Sequence, residues 1–175
     1  AFAPGQNLMA IGIWRASQYC EIQMWREIDS SWELLGLWNS PFKVEQLRFT
    51  SDGKTLVAHV FTDYQRNGHI DIWNVQAGEV IRKLKVEDSM EIVSIAQSRD
   101  YLAVGKKDGE VQLWKADSLA ATGQPVTMRT LSAPTQITSL AFSPDGTRLV
   151  AATLDNLAVW DVRPDTRGSD PLLTV

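Results

Sequence analysis

Four times along the chain a short apolar run ends in tryptophan: Ile22-Gln23-Met24-Trp25, Ile70-Asp71-Ile72-Trp73, Val111-Gln112-Leu113-Trp114 and Leu157-Ala158-Val159-Trp160. Successive tryptophans stand 48, 41 and 46 residues apart. A period of that length is too long for one helix or strand. It suits a supersecondary unit that can cover its apolar face only by stacking against the next copy. The chain is therefore a tandem array, and every other feature has to fit that array.

The likeness extends upstream of each tryptophan. Phe49-Thr50-Ser51-Asp52-Gly53-Lys54-Thr55-Leu56-Val57-Ala58 aligns with Phe142-Ser143-Pro144-Asp145-Gly146-Thr147-Arg148-Leu149-Val150-Ala151. Phe2-Ala3-Pro4-Gly5-Gln6-Asn7-Leu8-Met9-Ala10 is the same phrase one turn residue short, and 94–103 follows it with a shorter turn. Asp-Gly between two apolar runs marks a hairpin, because glycine enters the φ > 0 region without a Cβ clash.

Each unit then divides into four short strands. The spacing predicts 44–49, 55–60, 69–75 and 80–85 in the second unit. It predicts 91–96, 101–105, 110–115 and 126–131 in the third, and 136–142, 148–153, 157–162 and 171–175 in the fourth. The first unit offers 8–14, 21–26 and 32–37, its innermost strand being absent or reduced to Ala1-Phe2. No stretch of ten residues carries a 3.6-residue apolar period, so the expected class is all-β. Inner strands such as Leu149-Val150-Ala151-Ala152 are apolar throughout, as in a sheet covered on both faces. Trp25, Trp73, Trp114 and Trp160 are expected to fill the wedge between neighbouring sheets.

In Phe142-Ser143-Pro144-Asp145-Gly146 and Trp160-Asp161 the chain resembles the WD40-repeat β-propeller family, and the resemblance covers nearly all of it. Gly109-Glu110-Val111-Gln112-Leu113-Trp114 and Gly68-His69-Ile70-Asp71-Ile72-Trp73 are similar to the third strand of such a repeat. The resemblance implies four four-stranded antiparallel blades, at 1–38, 42–86, 90–131 and 135–175. Only Trp160-Asp161 is a Trp-Asp pair, and the Gly-His that precedes the first strand of family repeats is missing from every unit. Asp108 and Asp155 stand before Trp114 and Trp160 where a network Asp is expected, but without the histidine they are expected to cap turns. Family propellers close with about seven blades. Four blades imply an incomplete ring, completed by further blades or by another chain, with self-association as one consequence of uncovered faces.

Composition narrows the functional classes. A net charge of −4 gives no basic footprint for nucleic acid. One cysteine, Cys20, excludes an intramolecular disulfide and fits a reducing, cytoplasmic setting. No apolar run is long enough to span a bilayer, and no charged segment followed by an apolar one opens the chain. The two histidines, His59 and His69, do not make a metal set, the glycines serve turns one by one, and no cofactor is implied. Of two basic clusters, Arg82-Lys83-Leu84-Lys85 lies on an outer strand, where charge discourages edge pairing, and the other is Lys106-Lys107.

The expected function is a non-catalytic scaffold for protein–protein contact within a larger protein or complex. The resemblance implies contacts through the loops before the first strand and between the second and third. Phe42, Lys43, Arg66, Met90, Lys107, Gln136 and Asn156 are the candidates there. An alternative makes the chain a sensor or autoinhibitory segment of a multidomain signalling NTPase. A propeller hydrolase would need acidic or histidine side chains on the innermost strands, where only Glu45 could contribute.

Overall fold

A computed structural model describes residues 1–175 apart from 16–18, 62–67, 85–91, 122–128 and 167. The chain divides into two compact units, Ala1–Ser89 and Met90–Val175, each with two antiparallel sheets whose strands pair in chain order.

In the first unit, β1 (Leu8–Arg15), β2 (Tyr19–Ile28) and β3 (Ser31–Ser40) form a three-stranded sheet. Residues 1–3 begin a fourth strand: Phe2 bridges Met9, and the Ala10 N–H donates to the Ala1 carbonyl at 2.8 Å. The second sheet is β4 (Lys43–Phe49), β5 (Thr55–Phe61), β6 (Gly68–Asn74) and β7 (Glu79–Leu84). The two sheets share one core, in which Ala10, Ile22 and Met24 meet Leu47, Phe49, Leu56 and Trp73.

The second unit holds β8 (Ile92–Gln97), β9 (Tyr101–Lys106), β10 (Glu110–Lys115) and β11 (Arg129–Ser132), with a 3-10 turn at Ala116–Ser118. Its other sheet is β12 (Ile137–Phe142), β13 (Arg148–Thr153), β14 (Leu157–Asp161) and β15 (Leu173–Thr174). Ala103, Val111, Leu113 and Leu131 pack with Leu140, Leu149, Ala151 and Trp160. Expected strand residues 85, 91 and 126–128 lie outside the described residues. The last strand is two residues long, because Pro171 cannot donate to β14.

Two local devices repeat. The register slips by one residue at the same place in each innermost strand, between Val44 and Gln46, Ile92 and Ser94, and Ile137 and Ser139. Such bulges sharpen the strand twist. The Asp-Gly turns are also built alike. Asp52 accepts from the Thr50 hydroxyl (2.7 Å) and the Lys54 N–H (3.0 Å), and Asp145 from the Ser143 hydroxyl (2.5 Å) and the Thr147 N–H (3.0 Å). Gly53 and Gly146 sit at φ +66° and +72°, the conformation for which the turn needs glycine.

Burial departs from the apolar pattern in one respect. All six residues 55–60 of β5 and all of β9 are buried, whereas β13 buries only Leu149, Ala151 and Thr153. Val150 and Ala152 point to the other face with Val159, Leu157 and Leu173, and that face is only partly covered. The first sheet has the same asymmetry. Cys20, Ile22 and Met24 are buried, while Ile11, Leu34 and Leu37 on the opposite face are 37%, 45% and 52% exposed.

Candidate interaction surface

Strand-end loops presented by rigid sheets are where contact residues are expected. Phe42 stands just before β4, where the buried Ser40 hydroxyl accepts its N–H at 3.4 Å. Its ring meets His69 edge-on at 5.9 Å and carries the Lys83 ammonium at the same distance from its centroid. His69 in turn pairs with the buried Asp71 carboxylate at 2.9 Å. Phe42 is thus half-buried on a small polar cluster, while the neighbouring Lys43 is exposed and pairs with Glu45 at 2.8 Å.

In the second unit Lys107, Gln136 and Asn156 gather at one end of their sheets. The Gln136 carbonyl accepts the Leu154 N–H (3.1 Å), and the Gly109 carbonyl accepts the Ala133 N–H (2.8 Å). Lys107 and Gln136 are exposed. Asn156 closes its turn through its backbone, donating to the Thr153 hydroxyl at 3.0 Å. Arg66 and Met90 lie outside the described residues. Phe42 and Lys43 belong to one unit and the other three to the second, so the candidates form a group within each unit.

Trp73 and Trp160 face the preceding sheet of their own unit, Trp73 being stacked on Trp38 and Trp160 packed in the shared core. Trp114 is buried too. Trp25 differs: it is half-buried, lies on the partly covered face of the first sheet, and donates its indole N–H to Gln23 at 3.1 Å. It stands where the others stand, on a face against which the described residues of 1–89 lay no sheet. Asp108 is exposed and accepts the Glu110 N–H at 3.0 Å, an Asx turn between β9 and β10. Asp155 is exposed in a turn closed by Thr153 and Asn156.

Several charged groups have roles the sequence did not signal. Lys106 is 2% exposed and pairs with Glu110 at 2.8 Å, so only Lys107 of that basic pair faces solvent. Asp161 gathers Arg163 (2.5 Å) and Arg148. Hydrogen bonds from Arg163 above all, with help from Arg148, hold its carboxyl far below the usual carboxylate range. Cys20 is buried, and burial pushes its thiol up, away from the reactive thiolate. Arg82 and Lys83 lie on the edge strand β7. Among the described residues no helix is long and apolar enough to cross a membrane.

The family described as WD domain, G-beta repeat matches residues 125–161. U3 small nucleolar RNA-associated protein 18 homolog of Mus musculus is 30% identical over 124 residues, covering 69% of this chain and 22% of that protein. Periodic tryptophan protein 2 homolog of Schizosaccharomyces pombe is 33% identical over 101 residues, covering 57% and 11% respectively. The chain thus spans less than a quarter of either relative. Among solved structures, a chain of the mitotic checkpoint complex superposes with a TM-score of 0.72 at 19% identity, over 99% of this chain and 48% of that one. A chain of Kuenenia stuttgartiensis hydrazine synthase gives 0.74 at 14% identity, over 93% and 58%. These two show the fold alone.

One expectation is overturned. Relatives from mouse, fission yeast and Saccharomyces cerevisiae bear the name U3 small nucleolar RNA-associated protein 18, which points to a nucleolar and not a cytoplasmic setting. A lone cysteine reports only a reducing environment, which it cannot divide further. The same names remove the ground for setting nucleic acid aside on net charge alone. Four antiparallel sheets, a tryptophan recurring at the end of each third strand, the matched repeat and the propeller-like neighbours agree: the chain is built of WD40-type repeats and belongs to the WD40-repeat β-propeller family.

Proposed function

We propose that the chain is a non-catalytic segment of a larger WD40 propeller that holds protein partners within an RNA–protein assembly, of the kind its U3 small nucleolar RNA-associated relatives are named for. Trp25 carries this reading. Its counterparts Trp73 and Trp160 each lie against a preceding sheet, and Trp25 shares an apolar face with Ile11, Leu34 and Leu37 that another blade would cover. In this reading the repeat units run 1–38, 42–86, 90–131 and 135–175. The loops bearing Phe42, Lys43, Arg66, Met90, Lys107, Gln136 and Asn156 supply partner contacts. Loops on a scaffold can diverge without disturbing the packed sheets beneath.

The test is recovery of U3 small nucleolar RNA with the tagged full-length protein that contains this chain, expressed in yeast. Recovery should fall when Lys43, Lys107, Gln136 and Asn156 are together replaced by alanine, with the melting temperature unchanged. Unaltered recovery sets this loop face aside. Direct photocrosslinking of the loops to RNA turns the reading from protein to RNA contact.

A further inference from the structure

The end of the second unit opposite those loops contains a cleft of about 840 Å3. The turn from β8 to β9, the end of β10 and the segment after β14 surround it. Among the described residues four lining side chains are cationic, Arg99, Lys115, Arg129 and Arg163, against two carboxylates, Asp100 and Asp117. Their charges are not equally engaged. Arg163 is tied to Asp161. Arg129 is fixed by neutral oxygens: its Nε (2.9 Å) and Nη2 donate to the Gly168 carbonyl, and its Nη1 to the Asp161 carbonyl (2.9 Å) and the Thr166 hydroxyl (3.2 Å), which leaves one Nη2 N–H for a ligand. The guanidinium is therefore held in place, while among the described residues no contacting carboxylate cancels its charge. Arg99 and Lys115 are exposed and make no ion pair among the described residues. Tyr101 also lines the cleft; burial first, then Asp100, pushes its phenol up, so at neutral pH it stays a donor.

We propose that this cleft receives an acidic segment of a partner protein, its carboxylates taken by Arg99, Lys115 and the fixed Arg129. A preset guanidinium binds a carboxylate with less ordering cost than a mobile one, and charge-assisted bonds of this kind are the strong ones. Asp100 and Asp117 select peptide over nucleic acid. A nucleic-acid strand brings a negative phosphate at every step, and phosphates seated on the cations here would lie against Asp100 and Asp117 in the same cleft. A peptide alternates its carboxylates with neutral backbone N–H groups, which the two aspartates can accept. The inference stands on the second unit's own geometry and is independent of the loop-face reading.

Fluorescence anisotropy on the full chain tests it with three labelled probes: a decapeptide alternating glutamate and serine, the same peptide with glutamine for glutamate, and a uridylate decamer. The glutamate peptide should bind about tenfold or more tighter than either other probe. Combining Arg99→Glu with Lys115→Glu should weaken it about tenfold or more, and Lys54→Glu in the first unit should leave it unchanged. Lys115→Gln alone should weaken it about threefold, which keeps the test open were the double variant to misfold. Equal binding of the glutamine peptide, tighter binding of uridylate, no binding at about 1 mM peptide, or an equal loss with Lys54→Glu would each overturn the assignment.

Discussion

Trp38 at the end of β3 lies flat on Trp73 at the end of β6, with ring centroids 5.4 Å apart and planes 8° from parallel. The pair joins the two sheets of the first unit, and only Trp73 is completely enclosed, at 4% exposure. Trp73→Ala should cost about 3–5 kcal/mol, the range for deleting a large buried ring. Trp38→Ala should cost less, since that ring is half-buried. In a double-mutant cycle followed by urea unfolding, the coupling should be about 0.5–1.5 kcal/mol. Strict additivity would mean that the stacking contributes nothing beyond area.

The same indole constrains a glycine. Gly78 has φ +71°, and a Cβ there would sit 2.6 Å from Trp38 Nε1. Gly5 has φ +65° with nothing within 4 Å of its notional Cβ. Gly5→Ala should therefore cost only the left-handed backbone penalty, about 1 kcal/mol. Gly78→Ala adds displacement of a stacked ring and should cost about 2–3 kcal/mol. Equal thermal shifts for the two variants would contradict the packing described around Trp38.

The turn carboxylates give the fold an acid limb. Hydrogen bonds from Ser143 first, then from Thr147, lower Asp145 from 3.8 to about 2. A carboxyl depressed in the folded state adds stability above its unfolded value, and that contribution fades as pH falls toward the folded value. The loss from Asp145 should therefore fall between about pH 4 and pH 2. Asp145→Asn should lessen the fall of the melting temperature across that window, where Asp52 and Asp161 still contribute, and leave its slope above pH 5 alone. An unchanged acid limb would show that the turn does not depend on this charge.

How much of this was legible in the sequence follows from where the information is stored. Apolar alternation and Asp-Gly turns are local, so the strands at Thr55–Phe61, Tyr101–Lys106 and Arg148–Thr153 lie within a residue of the expected 55–60, 101–105 and 148–153. The recurring bulges at Val44/Gln46, Ile92/Ser94 and Ile137/Ser139 carry no turn residue or glycine and left no mark. Face coverage is not local either. Val57 and Val150 have the same character and the same place after their turns, yet Val57 is buried and Val150 half-exposed. Lys106 and Lys107 look alike as a pair, but Lys106 ends the buried strand β9 and meets Glu110, while Lys107 begins the turn and is exposed. The cleft draws Arg99, Lys115, Arg129 and Arg163 from four separate segments, a convergence that only the folded chain contains.

The exposed face around Trp25 makes a prediction about the isolated chain. Ile11, Leu34 and Leu37 are 37%, 45% and 52% exposed on one sheet face, the kind of patch that drives association. Sedimentation velocity should show concentration-dependent association of the 175-residue chain. Leu37→Glu and Trp25→Lys should shift it toward monomer with the melting temperature held or raised. A monomer at all concentrations would remove the uncovered-blade reading of Trp25.

Arg129 on β11 reaches across to the segment after β14 and bonds the Asp161 carbonyl, the Thr166 hydroxyl and the Gly168 carbonyl. The next bonds along the chain reinforce it: Ser132 N–H and Trp160 Nε1 both donate to the Ser169 carbonyl, each at 3.0 Å. The two sheets of the second unit are therefore clasped at this edge by the Arg129 guanidinium, acting as a planar fork, together with the Ser132 amide. A lysine at 129 keeps the charge but cannot reach three acceptors at once. Arg129→Lys should destabilise the unit by about 1–3 kcal/mol, the scale of lost charge-assisted bonds. Hydrogen exchange separates this from a general loosening: the Ser132 amide should lose protection in the variant, while the Leu140 amide, bonded to Ser94 at 3.1 Å, should keep it. Equal loss at both amides would mean that Arg129 supports the whole unit and not this edge alone.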